Sequence, residues 1–415
     1  MASSDGPHVR ARIRTPARAR DLGIVIGEGR PGPANAITDV RAVRVGHTTL
    51  IEGDGPLVVG RGPVRTGVTV VLPHDGELWA EPLFAGSFTL NGNGEMTGLE
   101  WIRDAGLLHG PIAITNTRSV GTVRDALAAH GARAHPDGAM YWALPVAGET
   151  YDGRLNDIAG AHVTAEHVDA AIAAAQASLI GAPVTEGNVG GGTGMICHEF
   201  KGGIGTASRV IPEDLGGWTV GVLVQANYGR RGLLRIDGVP VGQAIGLDEV
   251  PSPHSRIRRG IGDSAEGDVP ATPAGRPGGG SIIGIVATDA PLLPHQCERL
   301  ARRAPLGLAR VGGVGATTSG DLFLCFATGN RGMPAAEERG VAVPGERPGV
   351  LPIRALADPA LDPLIEAVVE ATEEAIVNAL VAAETMTGRD GIVAHRLPHD
   401  RLVDVIGAAG RLHER

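Results

Sequence analysis

Residues 312–330 read GGVGATTSGDLFLCFATGN. The run LFLCFA is apolar at every position, of strand length, and closed by Gly329 and Asn330. A short unbroken apolar run between turn residues is what a strand buried on both faces requires, since neither face needs to meet water. Comparable runs lie at 67–73 (GVTVVLP), 111–117 (PIAITNT), 218–229 (WTVGVLVQANYG) and 281–291 (SIIGIVATDAP). Helical patterns alternate with them. One covers 119–131, and one covers 164–181, opening at Thr164 with His167 and stopping at Gly181. A third covers 294–312 with a break at Pro305, and the longest covers 362–388, opened by Asp362-Pro363 and closed by Gly388. Interleaved strands and helices predict an α/β fold in which sheets are sandwiched between helices.

Composition narrows the function classes. The chain has 415 residues, 43% hydrophobic and 3% aromatic, with 63 glycines, so its core is expected from Val, Ile, Leu and Ala packed closely through small residues. The net charge of −9 argues against nucleic acid as a partner, because a phosphate-binding surface needs clustered excess cation. Cys197, Cys297 and Cys325 are odd in number and far apart, which suits a reducing, cytoplasmic setting and not a disulfide scaffold. No apolar run reaches the roughly 18 residues a membrane helix needs, so no membrane partner is expected. Residues 1–34 are rich in Arg, Pro and Gly and read as a flexible arm; residues 35–415 read as one catalytic domain. The stretch 251–280 reads as a loop insertion, and 331–350 as a second irregular stretch.

Four segments carry candidate chemistry. In the opening stretch Thr317, Thr318 and Ser319 sit between glycines directly before the strand. A hydroxyl there can attack its own preceding carbonyl in an N→O acyl shift. Hydrolysis then frees a residue bearing both nucleophile and α-amine, the latter with a pKa of roughly 7.7–8.0 and suited to act as base. An ordinary hydrogen-bonded turn is the alternative, and no GxSxG elbow supports a conventional triad. The glycine-dense stretch 186–209, EGNVGGGTGMICHEFKGGIGTASR, matches neither nucleotide-loop template. It reads instead as a cleft wall in which Glu186 meets a substrate ammonium, with Asn188, His198 and Lys201 nearby, or as a glycine-rich structural turn with solvated charges. Lys201 is the only lysine in the chain, which reads either as a place where a compact ammonium is wanted or as one accidental surface lysine. NGNGEMTG (91–98) offers Asn91 and Glu95 as ligand-lining residues or as a bare turn, and the long helix carries Thr372, Glu373 and Glu374. The histidines show no metal-binding spacing, so no metal is expected.

Taken in order, NAITDVRAVRVGHTTL (35–50), NGNGEMTG, the glycine-dense stretch, VLVQANYG, VATDAPLLPHQ, TTSGDLFLCFATGN and EATEEAIVNALVAAETMTGRDG resemble the L-aminopeptidase/D-esterase family, which includes the bacterial β-aminopeptidases. The resemblance spans nearly all of the globular part. It implies a four-layer αββα sandwich like the N-terminal-nucleophile hydrolases but with different connectivity. It further implies self-cleavage between Thr318 and Ser319 into chains 1–318 and 319–415, oligomers of such units, no cofactor, and small peptide, amide or ester substrates. Ser319 would be the nucleophile, Glu186 the holder of the substrate amine, and Asn227 an oxyanion donor, with Lys201 lining the site. Thr372 with Glu373 or Glu374 would supply a hydroxyl–carboxylate pair. Thr318 departs from the Gly or Asn usual before the cut, and is itself a second candidate nucleophile. The alternatives are an acyltransferase on a similar fold, as in ornithine acetyltransferases, or a non-catalytic small-molecule binder.

Overall fold

A computed structural model describes residues 17–135, 143–254, 280–333 and 350–413. Its strands are β1 (Arg44–Glu52), β2 (Val64–Leu72), β3 (Leu83–Gly92), β4 (Leu107–Leu108), β5 (Ile112–Asn116), β6 (Val146–Thr150), β7 (Ile196–Cys197) and β8 (Phe200–Lys201). They continue with β9 (Gly203–Val210), β10 (Thr219–Asn227), β11 (Ser281–Thr288) and β12 (Gly320–Ala327). The helices are α1 (Leu99–Ala105), α2 (Val120–Ala134), α3 (Ala165–Ala177), α4 (Val241–Ala244), α5 (Pro294–Ala301), α6 (Ala304–Val311), α7 (Asp362–Val381) and α8 (His399–Ala408).

Among the described residues two large sheets form, in the orders β1-β2-β5-β6 and β4-β3-β12-β11-β10-β9, beside two-stranded pairs of β7 with β8 and of Met386–Thr387 with Val393–Ala394. The period of two along their strands sorts side chains into three cores. On β12, Leu322, Leu324 and Phe326 enter a core shared with Val71, Ile112, Ile114 and Val146 of the smaller sheet. The intervening Phe323, Cys325 and Ala327 enter the core built with α5, α6 and α7. On the outer face of the smaller sheet, Val68, Val70 and Ala113 meet α2 and α3. Helices, sheet, sheet, helices is therefore the layer order, as the αββα expectation required.

Small residues set the spacing between layers. A methyl group at Gly205 of β9 would stand 1.9 Å from the Ala375 carbonyl oxygen of α7, and one at Gly46 of β1 would stand 2.2 Å from that of Ala171 in α3. Backbone meets backbone at both crossings, which explains why a chain so poor in aromatics still closes its cores.

Three expectations change. Residues 17–34 are not loosely held: Ala19, Ile24 and Ile26 are fully buried in the α7-side core, and Arg18 and Arg20 reach carboxylates far away in sequence. The long helix stops at Val381, and Gly388 lies instead against the Leu155 backbone. The break near Pro305 falls at Arg302–Arg303, with Pro305 inside the first turn of α6, where its missing N–H costs nothing. Most of the proposed 251–280 insertion and of 331–350 lies outside the described residues, as do positions 1–16 of the arm.

Candidate active site

Ser319 ends the glycine-rich connection from α6 and immediately precedes β12, whose central position in the larger sheet holds it rigidly. It is 3% exposed, at the floor of a cavity of about 260 Å3. The walls are loop 312–318, Tyr228, Arg230, Leu233, Leu308 and Asp321. Ser319 Oγ donates to Asp321 Oδ1 at 2.6 Å, and Ser319 N–H donates to the Ala316 carbonyl at 2.7 Å.

The neighbouring strand shapes the turn. β3 and β12 pair Gly92 with Gly320 and Asn91 with Asp321, but Leu322 pairs with Thr89, so Leu90 is an extra residue in β3. Such a bulge turns the side chains beside it. Asn91 Nδ2 thereby gathers the carbonyls of Ala316, Thr317 and Ser319, the first at 3.1 Å and the second at 3.4 Å. Asn93 Nδ2 donates to the Thr318 carbonyl at 2.8 Å. Gly94 packs on Gly320, a Cβ at Gly94 falling 3.0 Å from the Gly320 Cα and 3.3 Å from Glu149 Oε1. A buried carboxylate, Glu149, thus stands one glycine away from the start of β12. It accepts the Glu95 N–H at 2.9 Å and the Thr117 hydroxyl. Burial raises its pKa above the usual carboxylate value, against the opposing effect of those two hydrogen bonds.

Asn227 closes β10 at the same end of the sheet, opposite Ser281, whose Oγ accepts the Gly320 N–H at 3.1 Å. Asn227 Oδ1 accepts from Ile196 N–H at 2.8 Å, and its Nδ2 donates to the Tyr151 carbonyl at 2.9 Å. His198, at φ +48°, bonds through Nδ1 to the Arg230 carbonyl at 3.0 Å and sets its ring edge-on to Tyr228. It therefore backs the cavity wall, and burial lowers its pKa to about 4, so it is neutral. Glu373 pairs with Arg310 at 3.3 Å, and burial raises its pKa. Glu95 reaches Glu149 through its backbone; its own carboxylate is exposed.

The remaining candidates have other partners. Lys201 is fully buried, and Nζ donates to the carbonyls of Gly202 (2.7 Å), Met195 (2.8 Å) and Gly192 (3.3 Å), tying the glycine-dense loop together. Burial lowers its pKa to about 7. Glu186 is not open to a ligand: Arg18 Nε lies 2.6 Å from its Oε2, and Thr206 N–H donates to Oε1 at 2.8 Å. Glu374 accepts Arg20 (2.7 and 2.9 Å), Arg209 (2.8 Å) and Asn35 (2.6 Å). Burial opposes its ionisation, yet these partners hold its pKa below the usual value. Thr372 Oγ1 donates back to the Val368 carbonyl at 2.7 Å, and Asn188 brackets the Glu384 backbone. Sequence reading missed Asn93, Glu149 and Asp321. Asp321 carried a signal in its spacing, two residues beyond Ser319 at the start of β12, and Asn93 lies within the NGNGEMTG stretch already singled out.

The model of peptidase family S58 matches residues 35–394. The chain belongs to that family. It is 47% identical over 412 residues to the β-peptidyl aminopeptidase BapA of Sphingosinicella microcystinivorans, covering 99% of this chain and 94% of that protein. BapA of Sphingosinicella xenopeptidilytica is 45% identical over 394 residues, covering 94% and 91%. Among solved structures, a Burkholderia sp. β-aminopeptidase superposes with a TM-score of 0.81 at 52% identity over 95% of this chain and 99% of its own. The L-aminopeptidase D-Ala-esterase/amidase of Ochrobactrum anthropi does so with a TM-score of 0.81 at 42% identity, covering 95% and 99%. It is described as a prototype serine aminopeptidase and a variant of the Ntn-hydrolase fold. The family S58 chain is accordingly a serine aminopeptidase-type hydrolase, and neither the acyltransferase nor the non-catalytic alternative gains support. Among the described residues no helix is long and apolar enough to cross a membrane, and no group of three or more His, Cys, Asp or Glu is placed to hold a metal ion.

Proposed function

We propose that the chain cuts its own Thr318–Ser319 bond and that Ser319, released as a new amino terminus, is the nucleophile that removes N-terminal residues from short peptides, amides or esters. The observation that carries this reading is the position of Ser319. Its hydroxyl lies at the floor of the cavity, hydrogen-bonded to a carboxylate, next to a carbonyl already held by Asn93. The freed α-amine would take the hydroxyl proton near neutral pH, where an amino terminus is partly unprotonated. Glu149 is the carboxylate beside the start of β12 that suits the substrate's ammonium group, and it takes the part first given to Glu186. Asn227 Nδ2, with one hydrogen engaged by Tyr151, can offer the other to a developing oxyanion.

The relatives' names extend the reading to β-amino-acyl substrates. A cytoplasmic location and assembly of αβ units into oligomers belong to the same proposal, and fractionation and light scattering test them. Mass spectrometry of active protein should find two chains, one beginning at Ser319. Ser319→Ala should leave one intact, inactive chain. Full activity from an uncut chain, or from Ser319→Ala, overturns the reading.

A further inference from the structure

Asp321 is 1% exposed. Its Oδ1 accepts the Ser319 hydroxyl at 2.6 Å, and its Oδ2 has no hydrogen-bond partner. No arginine, lysine or histidine forms an ion pair with it among the described residues; the ion-paired carboxylates lie elsewhere, at Glu186, Glu370 and Glu374 for example. A buried carboxylate with one bare oxygen and no counter-charge is costly to keep, and a purely structural role would be better filled by a neutral side chain. The backbone around it is, by contrast, thoroughly held. Asn91, opposite Asp321 across the bulge, clamps the carbonyls on both sides of Thr318, and Ser281 Oγ accepts the Gly320 N–H. Ser319 Oγ is thus fixed between the base-like carboxylate and the Thr318 carbonyl that Asn93 binds.

We propose that Asp321 is the general base of self-cleavage, taking the hydroxyl proton of Ser319 as that oxygen attacks the Thr318 carbonyl; this rests on the reading of Ser319 given above. In the first step the Ser319 Oγ–C bond to Thr318 forms, the proton passes to Asp321 Oδ1, and the charge on the Thr318 oxygen is held by Asn93 Nδ2. In the second the Thr318 C–N bond breaks, and Asp321 returns the proton to the leaving Ser319 nitrogen, giving an ester and a free amine. Water then attacks the ester, yielding its proton to the amine, and the Ser319 oxygen leaves and recovers a proton. The products are the Thr318 carboxylate and a free Ser319.

The groups facing Asp321 are few. Ser319 lies on its own segment, the Ile282 N–H approaches from β11, Tyr228 faces it from just beyond β10, Glu373 of α7 lies beyond Tyr228, and Arg230 stands exposed at the cavity wall. Burial pushes the Asp321 carboxyl up to about 6, with the Ser319 hydroxyl and the Ile282 backbone N–H of neighbouring β11 working against it. A base with that value is half ionised near pH 6, so self-cleavage should speed up through that pH and level off above it.

The test uses the full chain, made in a cell-free translation system, quenched at intervals between pH 5 and 8 and weighed by mass spectrometry. Asp321→Asn should slow appearance of the two chains by roughly 100- to 10,000-fold and abolish the rise through pH 6. Asp321→Glu, which keeps a carboxylate, should cleave at an intermediate rate with a pH-dependent profile. Circular dichroism confirms that each variant is folded, and if Asp321→Asn does not fold, Asp321→Glu decides. Wild-type rate and pH profile in Asp321→Asn overturn the proposal, as does a folded Asp321→Glu that cleaves slowly without pH dependence. A wild-type chain that never cleaves overturns the reading of Ser319 itself, whatever the variants do.

Discussion

Asn93 Nδ2 stands 2.8 Å from the carbonyl oxygen of Thr318, the atom that would become negative in the proposed attack by Ser319. A donor already aimed at that oxygen needs no reorganisation as charge develops, and removing one such donor typically costs about 100- to 1,000-fold in rate. Asn93→Ala should therefore slow self-cleavage by about that factor. Because Asn93 is exposed, folding stability should change by less than about 0.5 kcal/mol. A mass-spectrometric time course beside a thermal melt checks both halves.

Glu149 should separate maturation from turnover. Glu149→Gln keeps one acceptor oxygen for the Glu95 N–H, turns the other position into an amide that can donate to the Thr117 hydroxyl, and loses the negative charge. A hydrogen bond to a charged group contributes about 1.5–3 kcal/mol, so KM for a peptide with a free amino terminus should rise on the order of 10- to 100-fold. Self-cleavage, which involves no substrate ammonium, should proceed at the wild-type rate. Steady-state kinetics on protein already shown by mass to be cut provides the comparison.

The adjacent acids on α7 should differ sharply. Glu374 is fully buried between Arg20 and Arg209, and Glu374→Gln leaves Arg20 without its carboxylate and Arg209 with Glu370 alone. Breaking a buried pair in this way costs about 3–5 kcal/mol. Glu373 faces only the half-exposed Arg310, so Glu373→Gln should cost no more than about 1 kcal/mol. Urea unfolding, done in Ser319→Ala so that one chain unfolds, should show a lowered midpoint for the first and nearly none for the second.

Lys201 predicts a pH dependence of stability. Its folded pKa of about 7 lies below the ordinary 10.5, so between those values the unfolded chain binds more protons than the folded one. Stability from this group therefore rises with pH across that window, is complete above 10.5, and is lost as pH falls through about 7. Lys201→Met should flatten that slope while lowering stability at neutral pH, because three backbone carbonyls lose their donor. A catalytic Lys201 would instead show as lost turnover in chains that remain folded.

The β12 run and the hydroxyls before it were legible because a doubly buried strand must be apolar throughout and a sharp turn before it must be glycine-rich. The same logic made the α/β class and most strand and helix positions readable, and the order of motifs pointed to the family. Charges were another matter. A carboxylate's surroundings depend on what the fold brings to it: Arg18 closes on Glu186 and Arg20 on Glu374 from an arm whose composition suggests loose chain. Glu149 reaches Ser319's neighbourhood only because Gly94 lets two loops touch, and Asn93 reaches Thr318 only beside a bulge that strand patterning does not reveal. Local periodicity determined the strands and the layers, and the order of motifs singled out Ser319 as the candidate nucleophile. Packing across long sequence separations decided which acids are tied into ion pairs and which stand bare beside Ser319, because electrostatic partnership is set by distance in space and not along the chain.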